Sequence, residues 1–156
     1  MCVRVQRFRE FGVTLNIFSG ALTHEAMMRF IEQIDPADGV RWINYLDPTL
    51  DVSGLDVARI AVRKRALAAK LHTLHAAAPV RSALVCASPM NELVVEFWPR
   101  YVGRDEHYPA EPTAFPTLEA ACAWLELPQG ACEALSDAVV SDQGANGSGR
   151  SGSAAD

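Results

Sequence analysis

The sequence predicts a single α/β domain whose mixed, mostly parallel sheet opens with an antiparallel hairpin and carries helices packed on it. Two observations lead to this class. Segments with the period-two pattern of strands alternate with segments of helical period, in the order β-β-α-β-α-β-α-β-α, and this alternation implies crossovers between parallel strands. The chain has 156 residues, which suits one hydrophobic core. With 49% apolar and 21% charged residues, the composition excludes a wholly disordered chain, a collagen-like chain and a disulfide scaffold.

The hairpin is predicted from two alternating segments near the start of the sequence. In residues 3–8, valines alternate with Arg4 and Gln6, and residues 13–18 alternate in the same way. Phe11-Gly12 between them is typical of a tight turn. These two segments therefore form the antiparallel pair of the predicted sheet.

Each predicted helix begins at a hydroxyl residue that can cap the free N–H groups of the first turn. Thr23 precedes the first helix and Thr117 the last one. Ser53 is predicted to cap the longest helical stretch, 53–78, in which Asp56 completes an S-x-x-D capping box.

The later part of the chain continues the alternation of strands and helices. Residues 80–87 form an apolar run suited to the middle of a sheet, and Ser88-Pro89 then begins a helix. The predicted strands are 3–8, 13–18, 40–46, 80–87 and 113–115, and the predicted helices are 23–34, 53–78, 89–101 and 117–125.

The end of the sequence differs in composition from the rest. Residues 141–156 are rich in Gly, Ser and other small or polar residues, and they bury too little apolar surface to offset the entropy of ordering. We therefore expect one folded domain over residues 1–140 and a disordered Gly/Ser-rich tail over residues 141–156.

Charge and apolar patterning limit the classes of partner and location. The formal net charge is −5, from 14 basic and 19 acidic side chains, so no nucleic-acid partner is expected. No apolar run approaches the ~18 residues of a membrane helix, and the N-terminal residues lack the apolar region of a secretory signal. We therefore expect a cytoplasmic protein without a transmembrane segment, whose four cysteines are reduced thiols.

Few residues are spaced as catalytic or metal-binding chemistry requires. His72 and His75 are three apart on a predicted helix, but a zinc site needs about four ligands, and no further ligand pattern accompanies them. No phosphate-binding loop, nucleophile motif or dinucleotide fingerprint is present. The sequence therefore predicts a chain that is not an enzyme and that holds no metal and no cofactor.

Three segments together resemble a known family. They are Ser-Gly-Ala-Leu-Thr at 19–23, Asp-Val-Ser-Gly-Leu at 51–55 and Ala-Phe-Pro-Thr-Leu-Glu-Ala-Ala-Cys-Ala-Trp-Leu at 114–125. In this order and spacing the chain resembles the STAS superfamily, the fold of bacterial anti-sigma-factor antagonists, and within it the small SpoIIAA-like group. It departs from the phosphorylated members at Val52, which stands where they carry the acceptor hydroxyl, while Ser53 keeps the second hydroxyl.

The resemblance implies a regulatory module that binds another protein through residues 47–65. An anion at the helix start and a plain N-cap at Ser53 remain alternatives there. A homodimer is also left open, because one basic and one acidic segment could attract each other across two copies. The residues that the resemblance and this reasoning assign to partner or anion binding are Asp47, Thr49, Asp51, Ser53, Gly54, Arg59 and Arg63.

A second function from a different class is a carrier for a lipid or another small apolar ligand. Large aromatic side chains accompany the last two predicted helices, at Trp98, Tyr101, Tyr108 and Trp124. Such residues line ligand pockets, and they also fill cores. In this alternative the pocket lies between helices and sheet, with Trp98, Tyr101 and Trp124 in its wall.

Overall fold

The structure, a computed structural model, describes residues 2–54, 56–75, 77–86, 98–101 and 108–147. The strands of this part of the chain are β1 (Cys2–Phe8), β2 (Val13–Ser19), β3 (Arg41–Leu46), β4 (Val80–Cys86) and β5 (Ala110–Phe115). Its helices are α1 (His24–Gln33), α2 (Val57–Leu74), α3 (Leu118–Trp124) and α4 (Gln129–Gly147), with a 3₁₀ turn at Pro36–Asp38 and one helical turn at 98–101.

The five strands form one sheet in which they lie in chain order, from β1 at one edge to β5 at the other. Strand β1 runs antiparallel to β2, with Cys2 opposite Ser19 and Phe8 opposite Val13. All other neighbours are parallel. At the hairpin, Gly12 has a φ of 59°, in the region that favours glycine. The predicted α/β class, with a mixed, mostly parallel sheet and an opening hairpin, is confirmed.

The strand order determines where the crossover helices lie. Successive parallel strands that advance in one direction through right-handed crossovers place their connecting helices on the same face. In agreement, Phe30 of α1 and Leu71 of α2 share one hydrophobic cluster with Phe18, Trp42 and Leu84 of the sheet. We call this side the crossover face.

The opposite face is covered by the C-terminal helices α3 and α4. Because side chains alternate along a strand, Leu15, Ile43 and Val85 point to this side, where they pack with Leu125 and Leu135. All five are fully buried. The sheet is therefore enclosed between two helical layers.

Two of the predicted helix caps are confirmed. The Thr23 hydroxyl accepts a hydrogen bond from the N–H of Ala26 at 3.2 Å. The Thr117 hydroxyl accepts one from the N–H of Ala120 at 3.2 Å. These caps depend on neighbours within the same turn, which is why the local sequence predicts them.

The cap predicted at Ser53 is wrong, because α2 begins only at Val57. The preceding loop is tied to the end of β2: the N–H of Leu22 donates to the Asp51 carbonyl at 2.7 Å, and the Asp51 N–H donates to the Gly20 carbonyl at 3.0 Å. These bonds hold the chain extended at residue 51, so Ser53 lies in a turn ahead of the helix. The predicted capping box is therefore absent, and α2 also ends earlier than predicted, at Leu74.

The C-terminal part of the chain differs most from the prediction. No helix was expected after residue 125, yet α4 runs from Gln129 to Gly147. The start of the tail at residue 141 is therefore corrected, because residues 141–147 continue this helix and Asp142 is only 3% exposed. Residues 148–156 lie outside the described residues. No helix in the described ranges is long and apolar enough to cross a membrane.

Strand β5 is longer than predicted, and the helix before it is described only at its end. β5 begins at Ala110 and includes Pro112, a residue that an edge strand tolerates because its missing N–H breaks no inner ladder. Of the helix predicted over 89–101, the described residues show a helical turn at 98–101. The remainder of that prediction lies outside the described residues.

Candidate functional site

The predicted partner surface is divided between exposed and buried residues. Thr49, Asp51, Ser53 and Gly54 are exposed on the loop between β3 and α2, and Arg59 is exposed on the first turn of α2. Asp47 and Arg63, by contrast, are only 2% and 4% exposed. These two residues therefore do not belong to an accessible surface.

Asp47 has a structural role at the end of β3. Its carboxylate accepts hydrogen bonds from the N–H and the hydroxyl of Thr49, at 2.8 and 2.6 Å. Its second oxygen accepts a bond from the Gln143 side chain of α4 at 3.4 Å. A carboxylate bonded in this way closes a turn, so we assign Asp47 to the loop's framework.

The start of α2 is surrounded by acidic groups. The Ser53 N–H donates to the Asp51 carboxylate at 2.9 Å, which lowers the pKa of Asp51 below its usual value. Arg59 contacts Asp56 at 3.3 Å and Glu25 of α1 at 3.4 Å. An anion that approached this helix start would meet three carboxylates, so the predicted anion site there lacks support from the geometry.

A large cavity lies on the crossover face, between α1, α2 and the sheet. Its volume is about 480 Å³. Side chains from both helices form its roof, the sheet forms its floor, and residues 98, 108, 110 and 112 close one side. The lining residues are Phe18, Leu22, Met27, Phe30, Trp42, Asn44, Leu46, Leu50, Ile60, Arg63, Leu67, Leu71, Ser82, Leu84, Trp98, Tyr108, Ala110 and Pro112.

The cavity floor contains one short polar chain in an apolar surface. The Asn16 side chain donates to the Asn44 side-chain oxygen, and Asn44 donates to the Ser82 hydroxyl, both at 2.9 Å. These bonds link β2, β3 and β4 at the sheet surface. Because buried polar groups are costly unless they are bonded, the chain of bonds lets Asn44 and Ser82 stand in the floor of an apolar cavity.

Arg63 is the charged residue in the lining. Its Nε donates to His24 Nδ1 at 3.2 Å, and its Nη2 is buried without a hydrogen-bond partner in the described part of the chain. Burial lowers the pKa of this guanidinium from its usual value. Arg63 is predicted from the sequence to lie on a partner-binding surface, whereas in the structure it lies in the cavity. Its spacing from Ile60, Leu67 and Leu71 was the available signal, because these positions share one helix face.

The aromatic residues predicted to line a pocket are separated by the sheet. Trp98 lines the cavity, and Tyr101 lies beside it with ring centroids 6.4 Å apart. Trp124 lies on the opposite side of the sheet, where its ring packs at a tilt against Phe115, with ring centroids 5.4 Å apart, and the Arg81 guanidinium lies 4.6 Å from its centroid. Trp124 therefore does not line the cavity, in contrast to the prediction.

The histidines and cysteines of the described residues do not form a metal-binding cluster. Within the described ranges, no group of three or more His, Cys, Asp or Glu side chains is arranged to hold a metal ion. His75 packs edge-on against Trp42, with ring centroids 6.4 Å apart, while His72 is exposed. Burial, followed by a hydrogen bond with Cys132, raises the pKa of the Cys122 thiol to about 12, so this thiol stays protonated at neutral pH.

No protein-family model, no curated protein and no solved structure matches the chain. The cavity and its residues are therefore the basis for assigning a function.

Proposed function

We propose that the protein binds a small, predominantly apolar ligand in the cavity on its crossover face. The observation that carries this proposal is the cavity itself, with a volume of about 480 Å³ and a mainly apolar lining. This volume falls within the ~300–1,000 Å³ typical of ligand pockets, which combine apolar walls with a few polar groups. Arg63, Asn44 and Ser82 are such groups in this lining.

The proposal is tested by titrating the protein with dodecanol, a neutral apolar probe. Trp42 and Trp98 line the cavity, so binding is expected to change the tryptophan emission. Ala110→Leu places extra side-chain volume in the cavity from β5, and we expect it to weaken binding by roughly tenfold or more, since about 1.4 kcal/mol of lost contact is a factor of ten.

The matched control is Ala123→Leu, the same substitution at an exposed position on α3. It is expected to bind dodecanol as the parent chain does. The absence of saturable binding to the parent protein, or equal weakening by both variants, would reject the cavity as a ligand site.

A second candidate is a regulatory module, of the anti-sigma-factor-antagonist kind, that binds another protein through the loop before α2. Two backbone bonds hold the loop against the end of β2, at 2.7 and 3.0 Å. They present the exposed Asp51, Ser53 and Gly54 as a preformed surface. The parallel sheet that follows an opening hairpin supports the resemblance to the STAS superfamily from which this candidate comes.

The second candidate is tested with Ser53→Asp, which adds a charge to the exposed loop. In a pull-down from native lysate, we expect this variant to lose a stoichiometric protein partner that the parent chain retains. Ser141→Asp, which changes an exposed serine of α4, is the control and keeps the partner. If the partner is retained by the Ser53 variant, the loop is not the binding surface.

A further inference from the structure

The position of Arg63 identifies the chemistry that the cavity is built to receive. The side chain lines the cavity and is 4% exposed. Its Nε is used by His24 of α1 at 3.2 Å. Its Nη2, also buried, donates to no acceptor among the described residues. The guanidinium of a residue that lines the cavity therefore has an unmade hydrogen bond.

The neighbouring carboxylates are held by a different arginine. Arg59 lies one helical turn before Arg63, and it contacts Glu25 at 3.4 Å and Asp56 at 3.3 Å. The two arginines thus differ in environment: Arg59 is 52% exposed and contacts both carboxylates, whereas Arg63 is buried, interacts with the same carboxylates only at longer range and has an unused donor.

A buried guanidinium with an unmade hydrogen bond is unfavourable. Arginine stays protonated in proteins, and a buried charge is costly unless it is paired and its donors are bonded. An anion within the cavity would satisfy both requirements, since arginine and carboxylate form short, charge-assisted hydrogen bonds.

We propose that the ligand is an apolar monoanion, a long-chain carboxylic acid, whose carboxylate pairs with the guanidinium of Arg63. Its hydrocarbon chain lies against Phe30, Trp42, Leu71 and Leu84, which line the same cavity. This inference rests on the proposed ligand-binding function and adds the class of ligand and the residue that selects it.

The remaining polar groups of the cavity favour a single negative charge. They include Asn44 and Ser82, joined by a hydrogen bond of 2.9 Å within the sheet, and the Tyr108 hydroxyl, which are an amide and two hydroxyl groups. Arg63 is the charged side chain among the lining residues in the described part of the chain. One guanidinium neutralises one carboxylate, whereas a doubly charged phosphate monoester would retain charge in an apolar space.

The first test compares three probes of equal chain length on the parent protein: dodecanoate, dodecanol and dodecyl phosphate. Binding is measured at pH 8 from tryptophan emission and by calorimetry. Dodecanoate is expected to bind at least roughly tenfold more tightly than dodecanol, the factor that about 1.4 kcal/mol represents, and more tightly than dodecyl phosphate. Tightest binding of dodecyl phosphate would replace the carboxylate by a phosphate headgroup and overturn the ligand class.

The second test removes the charge. Arg63→Met keeps a long apolar side chain, and we expect it to lose the preference for dodecanoate while it still binds dodecanol. Arg59→Met, one turn earlier on α2, is the matched control and is expected to keep the preference. Arg63→Lys keeps the charge without the guanidinium fork, so we expect an intermediate preference for dodecanoate. This variant also provides a test if the Met variant does not fold.

The outcomes separate this inference from the proposed function. If dodecanoate and dodecanol bind the parent protein equally well, or if Arg63→Met keeps the preference, Arg63 does not select the ligand although the cavity still binds one. If none of the three probes binds, the ligand-binding function itself is rejected.

Discussion

Arg63 and Ile60 lie three residues apart on α2 and line the same cavity, although one is charged and the other apolar. In an amphipathic helix, positions spaced by three and four residues share a face. A cation on the inner face is costly unless something compensates it. Arg63 therefore makes this face of α2 different from a purely apolar core face.

Cys122 provides a residue-scale test of the packing between α3 and α4. The thiol is 3% exposed, and burial raises its pKa to about 12. Compared with an ordinary thiol, its thiolate fraction at pH 8 is lower by about a thousandfold. At pH 8 we expect iodoacetamide to alkylate the exposed Cys2 and to leave Cys122 unmodified, as followed by peptide mass spectrometry.

The control for this labelling is the same reaction in guanidinium chloride, where Cys122 becomes accessible and reacts. Labelling of Cys122 in the native protein at the rate seen in denaturant would show that α3 and α4 do not cover it.

At the scale of elements, α4 shows how a segment of weak local signal becomes ordered. Its sequence, with Gly130, Gly144 and Gly147, is a poor helix former in isolation because glycine disfavours helices. Tertiary contacts provide the compensation: Asp142 pairs with Arg4 of β1 at 2.6 Å, and Gln143 donates to the Tyr45 hydroxyl at 3.4 Å. Composition alone therefore indicates disorder where packing imposes a helix.

Because of these contacts, we expect residues 141–147 to contribute to the stability of the protein. A chain that ends at residue 140 is compared with one that ends at residue 147. We expect the shorter chain to have a lower free energy of unfolding by about 1–3 kcal/mol, because it loses the charged hydrogen bonds of Asp142. Urea unfolding followed by circular dichroism measures the difference.

Asp142→Asn in the longer chain is the companion variant, since it removes the charge and retains the helix. A smaller loss of stability than truncation is expected. Equal stability of the two truncated chains would instead support the disordered tail that composition predicts from residue 141.

At the scale of the whole molecule, one topological rule explains the cavity. Strands β2 to β5 advance in chain order, so the helices that connect them gather on one face. The opposite face is filled by the C-terminal helices, with Leu125 and Leu135 fully buried. The cavity thus lies between the sheet and the two crossover helices α1 and α2, in agreement with the preference of ligand sites for concave spaces between such elements.

The sequence predicts some residues of the cavity wall correctly and assigns others to the wrong side of the sheet. The sequence leaves two roles open for the late aromatic residues, core packing and a pocket between helices and sheet, and Trp98 lies in the wall of the cavity. Trp124 was placed in the same pocket, but the sheet separates it from the cavity and Arg81 covers its ring at 4.6 Å. Helical spacing states which residues share a face of one helix, and it does not state which face of the sheet that helix covers.

By itself, the sequence determined the α/β class, the opening hairpin, most strands and the caps at Thr23 and Thr117, because period-two alternation and capping act between neighbours in the chain. Only the tertiary structure decided that α2 begins after Ser53, that residues 141–147 are helical and that Arg63 lies inside a cavity. The physical reason is the separation in sequence of the residues that make the deciding contacts. Each of these features depends on contacts between segments far apart in sequence, such as Asp51 with Gly20 and Asp142 with Arg4, and such contacts form only once the sheet has brought those segments together.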